Sequence, residues 1–213
     1  MGISIGKTNT FHSTLQEAIQ DVCAGFQTAE QSDVPFAYYE LNISCPNLSS
    51  SLEFYEPNHL KELLDALLKL ALTKPVWVKM PIAKTNEKII RMLDLIIQYS
   101  FVKAVIFGNL ERNRENPLLD KKEVSQFPKG NFSGKPCELR SNELISLAYK
   151  NYGTKIKIIG CGGVFSAEDA YQKIKLGASL IQLITGLVFE GPQLVAQINR
   201  GLVELLERDG FSN

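Results

Sequence analysis

Excess charge of either sign is the first thing this sequence lacks: 23 Lys and Arg balance 23 Asp and Glu, and no run of like charge exceeds a few residues. That excludes the electrostatic footprint of a nucleic-acid binder and the polybasic patch of a membrane-surface protein, leaving a small molecule as the expected partner. Long apolar runs are also missing. The longest are too short and too interrupted to span a bilayer, so the chain is expected to be soluble or at most peripherally attached, with no transmembrane segment. Cysteine is sparse: Cys23, Cys45, Cys137 and Cys161 are widely spaced, without a CxxC pair or a secretory leader. This reads as reduced thiols in a cytoplasmic protein and suggests no metal site. His12 and His59 match no motif and are expected in solvent. The glycine-rich dinucleotide fingerprint is absent too, since Gly6-Lys7-Thr8-Asn9 lacks the second and third glycines that an open doubly wound sheet would place after its first strand.

What is present is alternation. Apolar or β-branched runs at 3–5, 38–44, 76–80, 104–107, 156–159 and 180–184 are strand candidates. Between them lie stripes of helical period. Leu15, Ala18, Ile19, Val22 and Phe26 follow a Ser13/Gln16 capping box, and Leu60, Leu63, Leu64 and Leu67 follow Pro57. Ile89, Ile90, Leu93 and Ile96 form a third stripe, Leu144, Ile145 and Ala148 follow Ser141, and Ala170, Ile174 and Leu176 follow a Ser166/Asp169 box. A last helix is expected from about 194 to 208, closed by Gly210. Strands joined by helices imply a parallel α/β sheet. Glycines after the last two candidate strands, Gly162-Gly163 and Thr185-Gly186, favour a (β/α)8 barrel, which carries a phosphate site in those loops. Only about six of the eight βα units are present, so the expectation is a partial TIM barrel forming one domain over residues 1–213. The segment 108–141 breaks the rhythm and has the length of a binding loop.

The densest chemistry lies in Glu40-Leu41-Asn42-Ile43-Ser44-Cys45-Pro46-Asn47. Glu40, Asn42 and Ser44 share one face of an extended segment, Pro46 stops it, and Cys45 falls just past a strand's C-terminal end, where parallel α/β folds present catalytic groups. The plain alternative is a buried corner cysteine. Lys79 reads as an inward-facing strand lysine, and the alternative, a core lysine paired with Glu40, is compatible with a site because a buried carboxylate needs a partner. Asn47 and Asn109 are equally explicable as turn formers.

Together, Asn42-Ile43-Ser44-Cys45-Pro46-Asn47, Val78-Lys79, Gly108-Asn109, Phe132-Ser133-Gly134-Lys135-Pro136, Ile159-Gly160-Cys161-Gly162-Gly163-Val164 and Gly177-Ala178-Ser179-Leu180 through Glu190-Gly191-Pro192 occur in the order found in dihydroorotate dehydrogenases, and the resemblance covers essentially the whole chain. The SGKP loop and the QLITGLVFEGP ending resemble the quinone-linked, membrane-associated class 2 enzymes. The resemblance implies a (β/α)8 barrel that holds FMN and oxidises dihydroorotate to orotate in pyrimidine biosynthesis, with quinone as acceptor and the full-length parent at the inner face of the cell membrane. It makes Cys45 the base that removes the C5 proton. An ordinary thiol has a pKa of about 8.5, so activity is expected to rise with pH. It places Asn42, Lys79, Ser133 and Gly134 at the flavin, Gly162, Gly163, Thr185 and Gly186 at its phosphate, and Asn47 and Asn109 at the substrate.

Departures from the family pattern are specific. Cys45 stands where class 2 members usually have serine and class 1 members cysteine. Ser4 replaces a flavin-binding asparagine, Gly108 a threonine, Leu110 a substrate-binding threonine and Ile184 a tyrosine. A lost hydroxyl at position 110 is worth around 1–3 kcal/mol if its partner is left unpaired, unless a donor such as Arg112 replaces it. The family's first two barrel strands have no counterpart, so the chain is expected to be a fragment that neither holds FMN tightly nor turns over alone. The alternatives are another FMN barrel such as a dihydropyrimidine dehydrogenase or dihydrouridine synthase relative, a flavin-free phosphate-binding barrel, or a non-enzymatic chain that completes its sheet by association.

Overall fold

Strand and helix alternate as expected in a computed structural model that describes residues 1–8, 14–44 and 53–211. The chain divides into two units, Met1–Ile106 and Phe107–Asn213.

The first unit contains β1 (Gly2–Gly6), α1 (Leu15–Glu30), β2 (Tyr38–Asn42), α2 (Pro57–Leu68), β3 (Val76–Met80) and α3 (Asn86–Ile96), and ends in β4 (Val102–Phe107). β1 pairs with β2 and β2 with β3, all parallel. The helical crossovers make that direction possible, because a parallel return must travel the length of the sheet. Strand period 2 sorts the side chains. Tyr39, Leu41, Val76 and Val78 are fully buried, and the Tyr39 ring meets Phe26 of α1 at 5.0 Å. Ser4, Glu40, Asn42, Trp77 and Lys79 occupy the other face. Leu60, Leu63, Leu64 and Leu67 of α2 are fully buried, each contributing roughly 1.5–3 kcal/mol, and a twelve-residue helix depends on such packing.

Three local features differ from expectation. The box opening α1 is Thr14/Glu17, one residue later than Ser13/Gln16: Thr14 Oγ1 accepts from Glu17 N at 3.2 Å and the Glu17 carboxylate accepts from Thr14 N at 3.1 Å. A carboxylate is the stronger acceptor at a helix N-terminus. β2 stops at Asn42 rather than continuing to residue 44, because the Asn42 side chain takes Ser44 N. His59 is half-buried in α2, with Nδ1 3.0 Å from the Glu53 carbonyl, so it is not a solvated residue; His12 lies outside the described residues.

In the second unit, α4 (Lys121–Gln126) interrupts the long connection and a 3-10 turn (Lys135–Cys137) leads into α5 (Glu138–Tyr152). β5 (Lys157–Cys161), α6 (Ala167–Lys175), β6 (Leu180–Gln182), α7 (Thr185–Glu190) and α8 (Leu194–Arg208) follow, with β5 and β6 parallel. Val164, Ala170, Leu194 and Ile198 form a buried cluster packed by Ile181, Leu183 and Leu202. Gly210, at φ +84°, ends α8 and lets Phe211 N reach the Leu206 carbonyl at 2.9 Å. α5 starts three residues before Ser141, which is buried inside it, and residues 183–184 leave the strand because α7 begins at Thr185. No helix among the described residues is long and apolar enough to cross a membrane.

Candidate cofactor and substrate site

Register places the first group of site residues. Gly6 stands opposite Asn42, and Asn42 opposite Lys79; one rung earlier Ser4 faces Glu40 and Glu40 faces Trp77. Asn42 and Lys79 are therefore lateral neighbours on one face, near the C-terminal ends of their strands. Glu40 is buried, and its Oε1 accepts from Ser4 Oγ at 2.9 Å and lies 3.7 Å from Lys79 Nζ. The structure thus pairs Lys79 with Glu40 while keeping the ammonium partly exposed, its side chain 18% accessible. Ser4, shorter than the asparagine of the family pattern, is used by the carboxylate. Asn42 Oδ1 accepts from both Ser44 N, 3.1 Å, and Ser44 Oγ, 2.8 Å. Because the backbone N–H can only donate, the amide orientation follows, and Nδ2 is the group that Asn42 presents as a donor. Cys45 and Asn47 lie outside the described residues.

Glycines gather the second group. Gly134 is buried at φ +79°, and a Cβ there would meet Thr185 Cγ2 at 3.0 Å, so the SGKP loop is seated on the start of α7. A Cβ on Gly186 would lie 2.2 Å from the Val164 carbonyl oxygen, and one on Gly163, at φ +77°, 2.4 Å from Glu138 Cβ. Gly162, at φ +92°, lies against Cys137 and Gly108. The predicted residues Gly134, Gly162, Gly163, Thr185 and Gly186 thus form one interlocked set of loops whose close approach requires glycine. Ser133 is exposed beside it, and Asn109 is half-buried after β4.

Sequence reasoning missed the polar frame behind this cradle. Lys135 Nζ reaches Asp169 Oδ1 at 2.7 Å and Glu138 Oε2 at 3.0 Å. Burial works against its charge, yet the hydrogen bonds it donates to Asp169 and Glu138 outweigh that and lift its pKa. Asp169 completes only half of the expected box: its N–H donates to Ser166 Oγ, while its carboxylate turns to Phe165 N at 2.8 Å and to Lys135. Cys137 is buried, with Sγ 3.1 Å from the Asn109 carbonyl and 3.3 Å from that of Phe132. Burial pushes the Cys137 thiol up to about 11, so it acts as a structural donor and not a nucleophile.

The connection 108–137 is ordered by backbone pairing of Glu111 with Phe132 and by Arg114. The Arg114 guanidinium donates to the carbonyls of Val124, Phe127 and Gly130 and lies over the Phe132 ring. Arg114→Ala is expected to raise the rate of limited proteolysis within 116–130 about tenfold, the equivalent of roughly 1.4 kcal/mol of local opening, with little change in the thermal midpoint. Mass mapping of the cleavage sites checks it.

Parallel strand-helix units with polar groups at strand C-terminal ends and glycine-rich loops after the late strands define the α/β-barrel class. Residues 1–206 match the family model described as dihydroorotate dehydrogenase. The chain is similar to the dihydroorotate dehydrogenase (quinone) of Trichodesmium erythraeum, 34% identical over 219 residues covering 100% of this chain and 56% of the relative, and to that of Nautilia profundicola, 32% identical, again with 100% and 56% covered. The crystal structure of the Eimeria tenella dihydroorotate dehydrogenase in complex with ferulenol superposes with a TM-score of 0.84 at 22% identity, covering 100% of this chain and 59% of that one. The ligand-free structure from the same organism gives 0.82. This chain belongs to the dihydroorotate dehydrogenase family, and its fold is α/β, the six-strand portion of a TIM barrel. It spans a little over half the length of the curated relatives it matches.

Proposed function

We propose that this chain is the part of a quinone-linked dihydroorotate dehydrogenase that binds FMN and oxidises dihydroorotate in pyrimidine biosynthesis. The supporting observation is the rung that sets Asn42 beside Lys79, with Glu40 holding the lysine from below.

The residues present fit FMN. In the second unit, Gly134 and Gly186 approach neighbouring loops too closely for a Cβ, and Gly162, Gly163, Thr185 and Gly186 offer backbone amides and a hydroxyl suited to a phosphate. In the first unit, Lys79 supplies a cation for the electron-rich pyrimidine edge of the flavin, and Asn42 offers Nδ2 as a donor. Ser133, exposed beside the cradle, adds a hydroxyl. When bound, FMN supplies the two-electron acceptor for the hydrogen leaving dihydroorotate C6. Cys45 takes the C5 proton, made acidic by the adjacent carbonyl. Asn47 and Asn109 hold the amide and carboxylate edges, for which a side chain with both donor and acceptor is suited. Relatives named for quinone support that acceptor.

With the two missing barrel strands supplied by fusion, the chain titrated anaerobically with FMN and then given dihydroorotate should lose the visible flavin band, with dihydrouracil leaving it unchanged. Cys45→Ala should slow that bleaching about 100-fold or more, the usual contribution of a positioned base. Bleaching by dihydrouracil alone would transfer the assignment to a dihydropyrimidine oxidoreductase. Absence of any FMN binding in that completed protein would remove the flavin from it.

A further inference from the structure

Lys173 of α6 is 0% exposed, and among the described residues its ammonium is met by neutral groups, donating to Ser141 Oγ at 3.0 Å and Asn142 Oδ1 at 2.8 Å. Gly160 makes room for its stem: a Cβ there would lie 3.0 Å from Lys173 Cδ. A buried ammonium is costly unless its protons are used, and here one is spent on a hydroxyl that has work of its own. Ser141 Oγ lies 2.6 Å from the Cys161 carbonyl and 3.1 Å from the Phe107 carbonyl. Accepting from an ammonium polarises the O–H and strengthens what it donates.

Those carbonyls belong to the last residues of β5 and β4, and the peptides they open lead into Gly162 and Gly108. In a planar trans peptide, C=O and N–H point in opposite directions. Holding the Cys161 carbonyl toward Ser141 therefore turns the Gly162 N–H away from α5, and holding the Phe107 carbonyl does the same for Gly108. Both glycines have positive φ and lie against each other, so neither plane is fixed by a side chain of its own.

We infer that Lys173 is a positioning residue that, through Ser141, sets the peptide planes entering Gly108 and Gly162 and so aims the Gly162 amide at an anion in the cradle. The anion rests on the proposed FMN reading; the orientation of the amide does not.

Burial lowers the Lys173 pKa to about 8, while Cys161 on β5, Glu138 on α5 and Asp169 on α6 raise it and Lys135 lowers it. In the isotope-labelled 213-residue chain, the Lys173 Cε and Gly162 amide resonances are expected to titrate with one shared midpoint. Ser141→Ala should leave the Cε titration in place and abolish that of Gly162, and Lys173→Met should abolish both. Inorganic phosphate and FMN should each bind about fivefold or more weakly to Ser141→Ala, the loss of one hydrogen bond's worth of orientation. A Gly162 amide that stays flat while Lys173 titrates overturns the inference in wild-type protein, with no variant required to fold. Unchanged phosphate and FMN affinity in a folded Ser141→Ala chain also overturns it. If Gly162 follows Lys173 but neither phosphate nor FMN perturbs it, the cofactor reading fails and the positioning role stands.

Discussion

Gly108→Thr, which restores the residue of the family pattern, should destabilise the chain by about 3–5 kcal/mol, read as a shift in urea midpoint. Gly108 has φ +140°, and a Cβ there would lie 2.1 Å from the Cys161 carbonyl oxygen and 2.3 Å from its carbonyl carbon. These are backbone atoms at a strand end already tied to Ser141, so nothing flexible can yield. Threonine adds a branched side chain in a conformation that L-residues rarely adopt. Gly130 is the control: it also has positive φ, +100°, but nothing lies within 4 Å of its Cβ position. Gly130→Ala should therefore cost only about 1 kcal/mol, the conformational part alone. Equal midpoints for Gly108→Thr and wild type would show that the close approach is not sustained in solution.

Removing the cation beside Glu40 comes next. Lys79→Met keeps the stem and deletes the charge, leaving a buried carboxylate that still accepts from Ser4 Oγ but has lost the cation beside it. Breaking one half of a buried pair is strongly destabilising because the other half stays charged and desolvated. With the side chains 18% and 11% exposed, the expected loss is about 2–3 kcal/mol, below the fully buried case. Glu40→Gln in the same chain should recover much of it, since the amide still accepts from Ser4 and carries no charge. A double-mutant cycle should give a coupling of about 1–2 kcal/mol. Strict additivity of the two substitutions would mean that the 3.7 Å contact does not bind the two side chains in solution.

Much of the architecture was legible because strand and helix periods are written locally. Val76, Val78 and Met80 alternate with Trp77 and Lys79, and the buried leucines of α2 recur at three and four residues. Boundaries were less legible where one side chain decides them. Asn42 ends β2 by capturing Ser44 N, and Ser141 reads as a helix start although its hydroxyl is turned inward to two strand carbonyls. α4 was hidden in a polar connection, yet Asp120 followed by Glu123 is a start signal, and Asp120 does accept from Lys122 N and Glu123 N. Of the site, the lateral neighbours Asn42 and Lys79 depend on strand register, which no local pattern specifies. Lys173 was missed because a lysine three residues from Ala170 on the covered stripe of α6 looks like a solvated position until its partners are seen. Cys45 and Asn47 remain readings from sequence.

Trp77, the chain's single tryptophan, stacks on Tyr38 with ring centroids 3.5 Å apart and shares its sheet face with Lys79. All indole emission from this chain therefore originates two residues from the lysine and directly opposite Glu40 on the neighbouring strand. An isoalloxazine ring drawn to that lysine would accept the emitted energy and dim the signal, making intrinsic fluorescence a label-free optical gauge of occupancy that needs no added dye and no turnover.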